Sequence, residues 1–214
     1  MVLRLAILFL LLSWAVPAAA QPAVGAPSFF GTVEVPRQGL QPFPKWTGAL
    51  HRHFEERART PGPCEATRFN QCHWQEWQAL IARLRDVPPA GQLAEVNRYL
   101  NRAKYITDPI NWNMDDYWAT PGQFFVRNGD CEDYAIAKFL TLRQLGWPAE
   151  RLRLAVLQDL NLKIPHAVLI ARLEDGRQLV LDNQIEQVVE EGTIRHYRPV
   201  YSLGEDGWWL HRAR

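Results

Sequence analysis

Most constraining in this sequence is the stretch Asp130-Cys131-Glu132-Asp133-Tyr134 with the apolar run behind it, because together they specify a helix buried on much of its girth. Asp130 suits the N-cap position, where a carboxylate accepts a first-turn N–H, and Asp133 three residues on approximates a capping box. Ala135, Phe139 and Leu142 recur at helical spacing with Ile136 and Leu140 beside them, and Gly146 before Trp147-Pro148 supplies the stop. The rest of the chain is expected to be organised around this helix.

Cys131 falls at its first position. There the positive end of the peptide dipoles favours thiolate and lowers the thiol pKa from its free value of about 8.5. The carboxylates of Asp130, Glu132 and Asp133 act in the opposite sense. Something positive has to offset them: an imidazolium beside the sulfur, or a divalent cation held by the same carboxylates. A plainer reading stays open, in which the acids are ordinary dipole partners and the cysteine is a small buried hydrophobe.

Residues 1–20 read as a secretory signal peptide, with Arg4 as the basic region, an apolar run over 5–16 too short to span a bilayer comfortably, and Ala18-Ala19-Ala20 as the cleavage signal. The mature protein is therefore expected outside the cytoplasm, most simply in a bacterial periplasm. The 24 Lys+Arg are interspersed with 23 Asp+Glu, a formal net charge of +1, and no basic tract argues for nucleic acid. Of three cysteines, Cys64 and Cys72 can bridge a short loop and leave Cys131 free, though a reduced pair also fits.

Residues 21–44, rich in Pro and Gly with one short β-like run at Thr32-Val33-Glu34-Val35, read as an extended arm lying over the domain, and residues 45–214 as a single domain. Helices are expected over 45–59, 73–85 and 91–105. Residues 108–128 mix turn formers, carboxylates and aromatics without a clean period, as in a loop bordering a site, where Trp118 and Gln123 could reach the sulfur; a purely structural loop fits as well. After Pro148 strands are expected over 152–157, 166–172, 178–182, 197–203 and 208–211, with Pro199 marking an edge strand or a bulge. The fold class is α+β, a helical N-terminal part packed on an antiparallel β-sheet.

The hairpin at Glu174-Asp175-Gly176 fixes a register. A type I turn with Gly176 left-handed pairs Leu173 with Arg177, places His166 opposite Gln184 and brings Asp182 within diagonal side-chain reach of His166 on one face. A two-residue turn would put Asp182 on the other face. With the longer turn, Cys131, His166 and Asp182 form a nucleophile, a base and an orienting carboxylate.

Asp115-Asp116-Tyr117-Trp118-Ala119-Thr120-Pro121, the Gly129–Lys138 stretch, His166-Ala167-Val168-Leu169 and Leu181-Asp182-Asn183 resemble the bacterial transglutaminase-like cysteine proteinases, the LapG-type periplasmic proteases. The resemblance implies a papain/transglutaminase-like core with Cys131, His166 and Asp182 as its triad, and calcium dependence carried by Asp130 and Glu132, with Asp133, Asp115 and Asp116 as possible further ligands. It also implies a large surface adhesin as protein substrate, cut near its N-terminus to release biofilm cells, and restraint by the periplasmic domain of an inner-membrane cyclic-di-GMP receptor. Two alternatives share the fold. An amine in place of water would make the protein an acyl transferase, and an unreactive Cys131 would leave a binding module with Trp208 and Trp209 on its partner surface.

Overall fold

The computed structural model describes residues 28–213, so the expected signal peptide at 1–20 lies outside the described residues. Six α-helices are found among them: α1 Pro44–Ala58, α2 Gln71–Leu84, α3 Pro89–Leu100, α4 Asp108–Asn111, α5 Pro121–Arg127 and α6 Cys131–Gln144. The strands are β1 Val33–Gln38, β2 Leu152–Asp159, β3 Ile164–Arg172, β4 Gln178–Leu181, β5 Val189–Glu190, β6 Tyr197–Leu203 and β7 Gly207–Arg212. They form one antiparallel sheet in the order β1-β7-β6-β2-β3-β4-β5. The described part of the stretch read as an arm thus supplies an edge strand.

Alternation along β2 and β3 explains why the sheet has two cores. Leu152, Leu154, Ala167, Leu169 and Ala171 face the helices, where Trp46, Trp77, Leu93, Ile136, Phe139 and Leu142 meet them. Ala155, Leu157, Val168 and Ile170 face the other way, under Phe29, Ile194 and Tyr197. The buried indoles of the first core keep their N–H groups paired: Trp46 with the Gly204 carbonyl at 2.8 Å, Trp77 with Thr141 Oγ1 at 2.9 Å and Trp147 with Gln92 Oε1 at 2.6 Å. Each large ring can therefore be buried without an unpaired donor, a loss of about 1–3 kcal/mol each if the partner were removed.

The hairpin between β3 and β4 takes the longer of the two turns weighed above. Gly176 has φ +89°, the Gly176 N–H donates to the Leu173 carbonyl at 3.1 Å and the Leu173 N–H to the Arg177 carbonyl at 2.9 Å. Leu169 pairs with Leu181 and Arg172 with Gln178, the register that sets His166 opposite Gln184.

Two expectations need correction. Residues 108–128 are not an open loop, because α4 and α5 lie inside it. Thr120 caps α5 as half of a capping box with Gln123, and Pro121 stands at the first helical position, so the turn formers read there are helix starters. The third helix ends at Leu100 instead of running to 105. Of the two readings of Pro199, the bulge is found: β6 lies inside the sheet and its register against β2 shifts between Val156 and Leu157. Cys64 and Cys72 form a disulfide and Cys131 is the free cysteine.

Candidate active site

Close packing at the start of α6 depends on Gly129. A Cβ there would lie 2.2 Å from Asp133 Oδ2, so only glycine lets the Asp133 carboxylate fold back over the cap. Asp133 accepts the Asp130 N–H at 3.3 Å on Oδ2 and the Ala119 N–H at 2.6 Å on Oδ1, tying the helix start to the segment before α5. Cys131 follows on the first turn. Its thiol donates to Glu132 Oε2 at 3.1 Å, and the Ala167 N–H on β3 is directed at the sulfur. Burial, then the charges of Glu132 and Asp130, push the thiol pKa well up, and the Ala167 N–H opposes them only in part. The contest between dipole and carboxylates therefore resolves toward a neutral thiol.

One residue before Ala167, His166 is almost fully buried. Its Nε2 lies 2.9 Å from Asp182 Oδ1. Asp182 also accepts the Gln184 N–H on Oδ1 at 2.9 Å and the Tyr197 hydroxyl on Oδ2 at 2.6 Å, while its carbonyl accepts the Asn101 amide at 2.7 Å. Burial alone would raise the Asp182 pKa, but the His166 hydrogen bond and charge, with the Gln184 and Tyr197 donors, bring it below the usual value. An ionised Asp182 accepts the Nε2 proton, which leaves Nδ1 as the ring's acceptor. Nδ1 faces the exposed Gln184 side chain at 3.5 Å. Tyr197 also lies against the imidazole, ring centroids 5.6 Å apart.

The third component is a crowd of carboxylates. Asp108, Asp116 and Glu132 bring one oxygen each within 4.8 Å of one another, and so do Asp108, Asp130 and Asp133. Burial raises the pKa values of Asp108, Asp130, Glu132 and Asp133, and repulsion from neighbouring carboxylates adds to it; Asp108 reaches about 6 and Glu132 about 8. Asp108 Oδ1 and Asp130 Oδ1 are buried without a hydrogen-bond partner. Hard oxygen donors with unused lone pairs fit a calcium ion, which takes six to eight such ligands. Asp133 fits less well, since both its oxygens already accept backbone N–H groups.

Of the residues singled out from the sequence, His166 and Asp182 are in contact, and Cys131 meets the same strand next to His166. No hydrogen bond joins Cys131 to His166 among the described residues. Gln123 spends its amide on Tyr117 Oη at 2.8 Å and on the Thr120 N–H at 2.9 Å, so it does not serve the sulfur as expected, while Trp118 is buried in the core cluster against which Cys131 packs. Trp208 packs on Phe43 and Trp209 under Arg153, and both rings are half-buried. Asp108 and Tyr197 were missed. Asp108 carries one local signal, an acid at a helix start directly before Pro109; Tyr197 carries none.

A family model described as bacterial transglutaminase-like cysteine proteinase matches residues 61–209. Among solved structures, Legionella pneumophila LapG is 36% identical over 64% of this chain and 77% of that one, with a TM-score of 0.59, and its calcium-bound form gives the same values. The EGTA-treated form is 36% identical over 66% of this chain and 77% of that one, with a TM-score of 0.60. No curated protein matches the chain.

Proposed function

The chain belongs to the bacterial transglutaminase-like cysteine proteinases and is a cysteine protease, and from that premise we propose an exported, calcium-dependent endopeptidase worked by Cys131, His166 and Asp182. The observation that carries the reading is the buried 2.9 Å contact of His166 Nε2 with Asp182, beside a cysteine that opens α6.

Each residue has a definite task. Asp182 holds the imidazole with its proton on Nε2 and stabilises the imidazolium that forms. Nδ1 takes the thiol proton, the sulfur attacks the peptide carbonyl, and the same nitrogen returns the proton to the leaving amine. Water, deprotonated by Nδ1, then hydrolyses the thioester. Asp108, Asp116, Asp130 and Glu132 are the residues that would hold calcium; the bound ion supplies positive charge at the start of α6, where thiol and carboxylates compete. The similar LapG having a calcium-bound form supports this assignment.

The family resemblance extends the proposal to a periplasmic enzyme that cuts a large surface adhesin near its N-terminus, dispersing biofilm, and that is restrained by the periplasmic domain of an inner-membrane cyclic-di-GMP receptor. Incubating the protein with the N-terminal region of a candidate adhesin tests it. Cleavage is expected with calcium, and none is expected with EGTA or with Cys131→Ala. Cleavage by the Cys131→Ala protein would overturn the reading.

A further inference from the structure

We propose that Tyr105 is a catalytic residue of this site, its phenol O–H and the Cys131 backbone N–H together receiving the oxyanion that forms when the sulfur adds to a carbonyl. The proposal rests on the cysteine-protease reading and adds an electrophile-stabilising group to it.

Tyr105 stands where the chain, having left α3 at Leu100, is pinned to the segment that leads into the cysteine. Asn101 donates its amide to the Asp182 carbonyl at 2.7 Å. The Lys104 N–H then donates to Asn128 Oδ1 at 3.0 Å and the Ile106 N–H to the Gly129 carbonyl at 2.9 Å. Tyr105 itself forms a parallel bridge with Gly129, two residues before the sulfur. Asn128 holds φ +62° and ψ −156°, outside the left-handed helical basin and costly for any side chain, and so turns the chain out of α5 into this bridge. The backbone of Tyr105 is therefore fixed to the start of α6 by bonds on both sides of it.

Its side chain is placed differently from its neighbours'. Tyr134 donates to the Ala103 carbonyl at 2.6 Å, Tyr197 to Asp182, and Tyr117 accepts from Gln123. Tyr105 is 54% exposed, and its hydroxyl has no hydrogen-bond partner among the described residues. After burial, the strongest influence on this phenol is Cys131, ahead of Asp130 and Glu132; all raise its pKa, so the hydroxyl stays protonated and able to donate. Strand β3 meets the sulfur at the Ala167 N–H, next to His166, and the segment carrying Tyr105 is bridged to Gly129, two residues before the sulfur. The Cys131 N–H has no acceptor among the described residues, as expected for the first N–H of a helix.

The chemistry needs such a pair of donors. As the C–S bond forms, the carbonyl π pair moves onto oxygen, and the O⁻ lies next to a crowd of carboxylates that repels it. Two hydrogen bonds that tighten only at that stage lower the barrier. When the pair returns to re-form C=O, the bond to the leaving group breaks and the acyl-enzyme remains on Cys131.

Two reactions of the same sulfur separate this role from others. Acylation by p-nitrophenyl acetate, read as the burst of nitrophenolate, passes through an oxyanion; alkylation by iodoacetamide does not. With the full chain in calcium, Tyr105→Phe should slow acylation about 10- to 100-fold while alkylation stays within about twofold. Equal losses in both rates, or no loss in either, would overturn the proposal. A burst that persists in Cys131→Ala would instead overturn the cysteine-protease reading beneath it. A melting temperature for Tyr105→Phe matching that of the unaltered protein excludes misfolding as the source of a selective loss.

Discussion

The histidine half of the site and the cysteine half are satisfied to different degrees by the protein itself. Around Asp182 each oxygen has a donor: His166 and the Gln184 N–H on Oδ1, Tyr197 on Oδ2, Asn101 on the carbonyl. Around Cys131, buried carboxylates repel one another, Asp108 Oδ1 and Asp130 Oδ1 have no partner, and the thiol is bonded to Glu132 instead of a base. One half is finished by folding. The other, on the calcium-dependent reading proposed above, would be completed by a cation, and the contrast says which variants should respond to calcium and which should not.

Removing the charge of Asp182 should give the largest effect. Asp182→Asn is expected to lower the rate of cleavage by about 10³- to 10⁴-fold, because the imidazole loses both its tautomer control and its counter-ion, and added calcium should restore none of it. Restoration by calcium would break the comparison. Next comes Glu132→Gln, which above the raised Glu132 pKa of about 8 takes one charge out of the crowd. In EGTA at about pH 9 its melting temperature should rise by about 2–4 °C for each kcal/mol of repulsion relieved, and calcium should raise it by less than it raises that of the unaltered protein. A lower melting point in EGTA would show that the acids are not in conflict.

Tyr197→Phe sharpens the contrast from the finished side. It removes one of three donors to the Asp182 carboxylate and should cost about tenfold in kcat, within the 0.5–1.5 kcal/mol expected of one net hydrogen bond, with KM unchanged and no calcium dependence. A KM effect alone would move Tyr197 out of this role.

A last test concerns Lys138, which is fully buried on α6 with no hydrogen bond to its ammonium group. Burial lowers its pKa to about 7, and the charge of Asp182 only partly opposes this. The unfolded chain, with an ordinary lysine near 10.4, binds more protons between those values, so stability should rise as the pH climbs from about 7 to 10. Lys138→Met should flatten that slope in a melting series. An unchanged slope would show that Lys138 does not titrate in this range.

Some of this was legible in the sequence because it is local. The alternation of β3 and β4, with one glycine in the turn, fixed the register that brings His166 and Asp182 together, and the cap residues placed Cys131 at the start of its helix. Capping chemistry was also present at Thr120 to Gln123, yet large aromatics on either side obscured it and α5 was read as loop. Asp108 and Tyr197 join the site from 22 and 15 residues away in sequence from their partners Asp130 and Asp182. Neither distance leaves a periodic trace, since β6 is separated from β4 by two strands and Tyr197 reaches Asp182 through the second core.

Strand β1 carries a consequence for how the chain comes into being. Val33 pairs with Arg212 and Gln38 with Gly207, so the first strand of the sheet is laid against the last. Thr32 Oγ1, just before it, meets His211 Nδ1 at 2.9 Å. A ribosome delivers residue 33 long before residue 212, and pairings so far apart in sequence close late and slowly. Until the C-terminus emerges, β1 has no partner and the sheet cannot be completed along that edge. A nascent chain held at residue 206 would carry every residue of the proposed triad and still lack the strand that receives its beginning.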